Sequence, residues 1–255
     1  MKTALLVVSF GTTHQDTLEK TIAATEATLA TAFPECPVYR AFTSIAVRKK
    51  LERTQNMHVD STQEALARIA ADGYDRVIVQ PTLLIPGVEY DKLCAAVEAS
   101  AGDLQAVVGK PLLCCEQDMD TVIEALRQAY PVDDDTVLLM MGHGTGHSAD
   151  DIYVRMAEKM RAFPMRLCTV EVSLSFADVA EEFSALPYRK VRLTPMLFVA
   201  GEHARNDMAS DAPNSLRSLL KARGYQVECI LRGLGELTAV QQMYVEKARA
   251  AMTAC

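Results

Sequence analysis

The chain of 255 residues is 49% hydrophobic and 23% charged, an ordinary globular composition that excludes intrinsic disorder, collagen and coiled coil. Its 33 acidic against 26 basic side chains give a formal net charge of −7, which argues against nucleic acid as a partner, because such binding needs a basic face to displace counterions. No apolar run reaches the ~18 residues of a membrane helix, and the 7 cysteines, in no CxxC pair, read as reduced thiols of a cytoplasmic protein.

The chain runs from Lys2 straight into the apolar stretch 4–8, too short for a signal peptide and suited to a buried strand. From there, short runs rich in Val, Ile and Leu alternate with stretches of helical period, the pattern of parallel strands covered by helices, so the fold class is α/β. Strands are expected at 4–8, 38–42, 76–84 and 107–112, and then at 136–141, 167–172, 191–198 and 227–231. Helices are expected at 16–32, 62–71, 90–100 and 118–128, and then at 149–162, 176–186, 215–222 and 237–252. Pro131 with Asp133, Asp134 and Asp135 is the most linker-like stretch, which divides the chain into lobes 1–130 and 131–255.

An internal repeat accompanies that division. Residues 73–87 align without gaps on 187–201, matching Tyr74 with Tyr188, Pro81 with Pro195 and Gly87 with Gly201, and residues 5–11 match 138–144 in kind. Two similar three-layer α/β/α lobes with parallel sheets, related by duplication and separated by a cleft, are expected. The alignment sets Phe10 opposite His143 and Glu89 opposite His203.

His143 lies between Gly142 and Gly144, after an apolar strand and before a helix, where open parallel sheets hold their ligands. It reads as a metal ligand or general base, or as a turn histidine that merely hydrogen-bonds; a glycine-rich turn without GxGxxG or a Walker lysine is a weak phosphate signal. His203 follows the next-but-one strand of the same lobe and opens toward the same edge, or is simply solvated in a polar loop. Glu171 interrupts an otherwise apolar run, where a carboxylate either finds a partner or faces water from an edge strand. Together, two imidazoles and a carboxylate at the ends of three strands make a borderline set for Co, Ni, Fe or Zn. The sequence contains neither HExxH nor GxSxG, which disfavours a metalloprotease and an α/β-hydrolase.

Residues 5–12, 40–44, 141–144, Val170-Glu171 and the segment from Ala200 to Asp211 together resemble the anaerobic cobalt chelatases of cobalamin biosynthesis, the CbiK type of the class II chelatases. The likeness runs from the first strand to Glu236, and the His203 segment is its most specific part. It implies ATP-independent insertion of Co2+ into sirohydrochlorin in a cleft between two duplicated domains, with His143, Glu171 and His203 on the family's metal positions. It also implies that the last helix, about 237–252, crosses back onto the first lobe. Relatives insert iron on the same scaffold, so iron insertion into sirohydrochlorin or a porphyrin is the alternative activity. A non-catalytic carrier of metal or tetrapyrrole is the alternative class.

On this reading His143 and His203 serve as ligands and as bases for the pyrrole protons, with Glu171 as a further ligand. Ser9, Gly11, Thr12, Thr13 and Gly87 are placed to touch ring carboxylates. Phe10, Leu84, Ile85, Pro86 and Phe198 would form an apolar slot, or pack in the core, and Glu89 would orient an N–H or meet the ion on entry. Arg48, Lys49, Lys50 and Arg53, with Arg205, are the cations available to a polycarboxylate ring, or else a solvated helix face. His147 reads as a helix cap or proton-release group, or as a ligand for a second ion; His14 as a residue reaching the cleft from the opposite lobe; His58 as a surface loop residue; and Cys114-Cys115 as core thiols or a soft-metal pair. No organic cofactor is implied. The divalent ion, Co2+ or else Fe2+ or Ni2+, is a substrate, the partners are that ion and the tetrapyrrole, no membrane is involved, and a homo-oligomer is expected.

Overall fold

In the computed structural model, which describes residues 2–254, the chain divides into two compact units. The first comprises the residues up to Cys114 together with those from Thr238 onward, and the second is Cys115–Leu237. Each is built on a four-stranded, all-parallel sheet flanked by helices.

The first unit contains β1 (Thr3–Ser9), α1 (Gln15–Leu18), a π turn (Glu19–Ala23), α2 (Ala24–Ala32), β2 (Val38–Phe42), α3 (Ile45–Gln55), α4 (Thr62–Ala71), β3 (Arg76–Pro81), α5 (Val88–Ser100) and β4 (Gln105–Val108). The strands lie in the order β2-β1-β3-β4. Strand β1 is apolar on both faces because both are covered. Ala4, Leu6 and Val8 meet Ala65, Leu66 and Ile69 of α4 and Leu93 and Val97 of α5. Leu5 and Val7 meet Leu29 of α2 on the other face, together with Val245, Ala248 and Ala251 of α10 (Thr238–Thr253). Tyr244 of α10 is fully buried and its hydroxyl donates to the carbonyls of Thr82 and Leu83 at 3.1 and 3.3 Å.

The second unit opens with α6 (Glu116–Ala129) and continues with β5 (Thr136–Gly142), a 3-10 turn (Ser148–Asp150), α7 (Asp151–Met160), β6 (Met165–Thr169), α8 (Phe176–Ser184), β7 (Lys190–Pro195), a π turn (Ala204–Met208), α9 (Leu216–Ala222), β8 (Gln226–Cys229) and a 3-10 turn (Leu234–Glu236). Its sheet has the order β6-β5-β7-β8. Val137, Leu139 and Met141 of β5 pack with Val179 and Phe183 of α8, Leu216 and Leu220 of α9, and Ala204 and Met208 of the π turn.

The duplication extends to individual hydrogen bonds. Thr82 N–H donates to Val8 O at 2.9 Å in the first unit and Met196 N–H to Met141 O at 2.8 Å in the second. Gly109 N–H donates to Val79 O and Ile230 N–H to Leu193 O, both at 2.8 Å.

The structure departs from the sequence expectations in four places, the first being that Cys114 and Cys115, read as core thiols, are exposed at the junction before α6. The division falls at Cys115 and not at 130/131, because α6 is tied to α7 by Lys159, which reaches Glu116 at 2.9 Å and Asp120 at 2.7 Å, and the aspartate run is tied to β7 by Lys190, 3.3 Å from Asp133. Helix α3 was not among the expected helices, and appeared only as the solvated helix face that Arg48, Lys49, Lys50 and Arg53 could form. Several strands are shorter at the carboxyl end than their apolar runs, β3 closing at Pro81, β6 at Thr169, β7 at Pro195 and β8 at Cys229, so Glu171 stands in the loop beyond β6 rather than within a strand.

Candidate active site

The central strand β5 lies between β6 and β7, so the loops leaving all three emerge side by side at the carboxyl edge of the sheet. Glu171, His143 and His203 come from these three loops in that spatial order. Beyond the last paired residues of β5 and β6, Gly142 and Thr169, the ladder continues: Val170 N–H donates to Gly142 O at 3.0 Å and Glu171 N–H to His143 O at 2.9 Å. These bonds place the carboxylate beside the imidazole, with Glu171 Oε2 4.0 Å from His143 Nδ1. Gly144 makes the approach possible. It sits at φ +82°, where an L side chain is strained, and a Cβ there would overlap the Glu171 carbonyl oxygen.

His143 and His203 stack edge to face, ring centroids 4.8 Å apart and planes at 89°. Nδ1–H of His143 donates to Gly144 O at 3.0 Å, and Nδ1–H of His203 donates to an Asp207 carboxylate oxygen at 2.7 Å. A carbonyl or carboxylate only accepts, so both rings carry the proton on Nδ1 and present the Nε2 lone pair. Asp207 lies one turn after His203, on the π turn whose other side is fixed in the core by Ala204 and Met208, both fully buried. Behind His143, Asp150 is buried and accepts from Thr145 N–H at 2.8 Å, and Tyr153 is held in the protonated state by its surroundings. Burial first, and then the Asp150 charge, push the Tyr153 phenol up to about 12, against the pull of the His143 backbone N–H.

His143, Glu171 and His203 are all partly exposed, with side-chain accessibilities of 41%, 58% and 46%. They form an open edge rather than a closed three-donor cage. Among the described residues, the trio whose donor atoms all come within 4.8 Å of one another is His58, Asp60 and Glu64. Those carboxylates already have structural work: Asp60 accepts from Arg68 at 2.7 Å, while Glu64 closes the capping box of α4 with Ser61 and pairs with Arg48 at 3.1 Å.

The first unit repeats this edge with different chemistry. Ser44 N–H donates to Phe10 O at 3.2 Å, the bond that Glu171 and His143 make in the second unit, and Gly11, at φ +98°, matches Gly144. Phe10 and Ser44 therefore occupy the places of His143 and Glu171. Phe10 is 49% exposed. Glu89, opposite His203 in the repeat, pairs with Lys92 at 2.8 Å and accepts from the Thr43 hydroxyl at 3.5 Å. Ser9 and Thr12 are buried, Ser9 accepting from the Thr82 hydroxyl at 2.8 Å and Thr12 from His14 N–H at 3.2 Å. Gly87 is the buried N-cap of α5 and Pro86 before it is half-buried. His147 caps the 3-10 turn through Nδ1, and His58 lies on the surface beside Asp60 at 3.2 Å. Asp207, Asp150 and Tyr153 were not singled out in the sequence. For Asp207 the available signal was its four-residue spacing from His203 in a helical stretch.

A profile described as Cobalt chelatase (CbiK) matches residues 3–253. The chain belongs to the CbiK cobalt chelatase family. Sirohydrochlorin cobaltochelatase of Salmonella typhimurium (strain LT2) is 37% identical over 249 residues, covering 96% of this chain and 94% of that protein. Sirohydrochlorin cobaltochelatase CbiKC of Nitratidesulfovibrio vulgaris (strain Hildenborough) is 32% identical over 260 residues, covering 99% and 92%. Among solved structures, SirB from Bacillus subtilis with Fe3+ superposes with a TM-score of 0.68 at 14% identity over 99% of this chain and 96% of that one, a likeness of fold. The CbiK relationship thus spans both units and the three loops that carry His143, Glu171 and His203.

Proposed function

We propose that this protein inserts Co2+ into sirohydrochlorin without ATP, using the carboxyl edge of the second sheet as the metal-handling side. The observation that carries the reading is the pair of stacked imidazoles, both held by Nδ1 so that both Nε2 lone pairs are free, beside the Glu171 carboxylate. Two names support the substrate: the relatives from Salmonella and Nitratidesulfovibrio are both sirohydrochlorin cobaltochelatases.

Metallation exchanges the two pyrrole N–H protons for one divalent ion, so the protein must replace water around the ion and accept protons as the metal moves onto nitrogen. His143 and His203 supply neutral nitrogen ligands that suit Co2+, and each becomes a proton acceptor once the ion leaves it. Glu171 offsets the charge of the incoming ion. On the first unit, Phe10 in the loop after β1 and Ile45 and Val88 at the starts of α3 and α5 are exposed, and we assign them, with Gly11, Pro86 and Gly87, to apolar contacts with the macrocycle. Ser9 and Thr12 support that loop from within, and Glu89 stands where an N–H could be oriented. The exposed Lys49 and Arg53 of α3 offer cations to ring carboxylates. Among the described residues Cys36, Cys94, Cys114, Cys115, Cys168 and Cys229 are free thiols, which suits a reducing cytoplasmic setting, and no helix is long and apolar enough to cross a membrane.

The test is anaerobic visible absorbance of sirohydrochlorin with Co2+, Fe2+ or Ni2+, comparing the parent protein with His143→Ala and His203→Ala. Multiple turnovers fastest with Co2+, and lost by at least about 100-fold in either variant, are expected for groups acting as ligand and base. A bound spectrum without turnover would replace the enzyme with a carrier, and undiminished turnover in both variants would remove these histidines from the mechanism.

A further inference from the structure

Asp207 has so far appeared only as a hydrogen-bond partner. Resting on the reading of His203 just given, we propose that Asp207 is the positioning residue that sets the tautomer and ring plane of His203. The bond is short, 2.7 Å from His203 Nδ1 to the carboxylate, and both residues belong to one turn, so no long-range movement is needed to form it. That turn is a π turn, a form that recurs at functional sites. Its core side is fixed by fully buried Ala204 and Met208, and its outer side carries a parallel pair, Asn206 Nδ2 donating to Glu202 at 3.0 Å.

The two imidazoles are held in different ways. His143 uses the carbonyl of its own neighbour, Gly144, which no side-chain change removes, whereas His203 depends on one replaceable carboxylate. Without it, the ring is free to turn about its side-chain bonds or to carry the proton on Nε2, which withdraws the lone pair from ion and pyrrole alike. The edge-to-face stack makes the orientation matter for both rings, because His203 can rotate only by breaking its 89° relation to His143. The pair contributes little to folding, since both side chains are 46% exposed and solvent competes for the hydrogen bond.

The experiment uses the full chain with Asp207→Ala, Asp207→Asn and His203→Ala, and reads kcat and KM for sirohydrochlorin metallation, Co2+ affinity without tetrapyrrole by calorimetry, and Tm. Asp207→Ala is expected to lower kcat and Co2+ affinity by about 10- to 100-fold while KM for the tetrapyrrole stays within about 2-fold and Tm is unchanged. Asp207→Asn, whose amide oxygen accepts the same Nδ1–H, restores both to within about 3-fold of the parent. Asp207→Ala as active as the parent while His203→Ala is inactive overturns the positioning role and leaves the reading of His203 intact. His203→Ala as active as the parent overturns that reading itself. Asp207→Asn as impaired as Asp207→Ala overturns positioning by hydrogen bond, because the negative charge is then the part that acts.

Discussion

Val172 shows what the site demands of single residues. It follows Glu171, is 61% exposed, and holds φ +63°, with Leu174 at +57° two positions later. A β-branched side chain in the left-handed region costs ~1–2 kcal/mol and buries nothing in return here. The strain belongs to a loop that bends back sharply enough for Thr169 N–H to donate to Leu174 O at 2.9 Å and for the Thr169 hydroxyl to hold Glu171 O at 2.9 Å. Val172→Gly should release that strain against ~0.5–1 kcal/mol of lost chain entropy, a net gain of ~0.5–1 kcal/mol. The expected rise in Tm is ~1–4 °C, and a lower Tm would mean that Val172 makes contacts that offset its backbone. Residue types alone pointed to His143, His203 and Glu171, because imidazoles and a carboxylate at strand ends are chemically conspicuous. Asp207 and Asp150 were inconspicuous for the opposite reason: acidic residues are common in polar loops, and only the four-residue spacing from His203 set Asp207 apart.

Among the elements, the central strands were the easiest to anticipate. Strands β1, β3 and β5 are buried on both faces, so their centres are continuous apolar runs, whereas β7 alternates Val191 and Leu193 with the partly exposed Lys190 and Arg192. Their ends were harder, since apolar character outlasts the ladder: Leu83 and Leu84 remain apolar beyond β3, but their carbonyls accept from Leu112 and Leu113 in a loop rather than from a neighbouring strand. Helix α3 was legible only as a solvated helix face for its cations, because it buries only Leu51 and is otherwise a charged sequence, held at its ends by the Ser44 cap and by Asn56 at φ +50°. Helix α10 depends on one polar anchor within an apolar face. Tyr244→Phe removes the donor from two buried carbonyls and should cost ~1–3 kcal/mol, read as a lower midpoint in urea with the m-value unchanged. No loss of stability would show that water replaces the hydroxyl.

For the molecule as a whole, acid is the expected weakness. Glu64 is held below the usual carboxylate range, first by the Ser61 N–H, and Glu182 is held low first by Arg161 and then by Arg166. A carboxylate with a lowered folded-state pKa binds fewer protons when folded than when unfolded. Its contribution is therefore complete above the unfolded value of ~4.3 and is lost as pH falls through the folded one. Tm should fall as pH drops below the unfolded value of ~4.3, and Glu64→Gln with Glu182→Gln should flatten that slope; an unchanged slope would place acid sensitivity elsewhere. The helix that closes the first unit lies at the far end of the chain, after the whole of the second. During synthesis, at ~5–20 residues per second, Leu5 and Val7 therefore lack their α10 cover for as long as the whole second unit takes to be made. The opening strand is thus made among the first elements, and its Leu5 and Val7 face stays half covered, by α2 alone, until α10 follows the second unit.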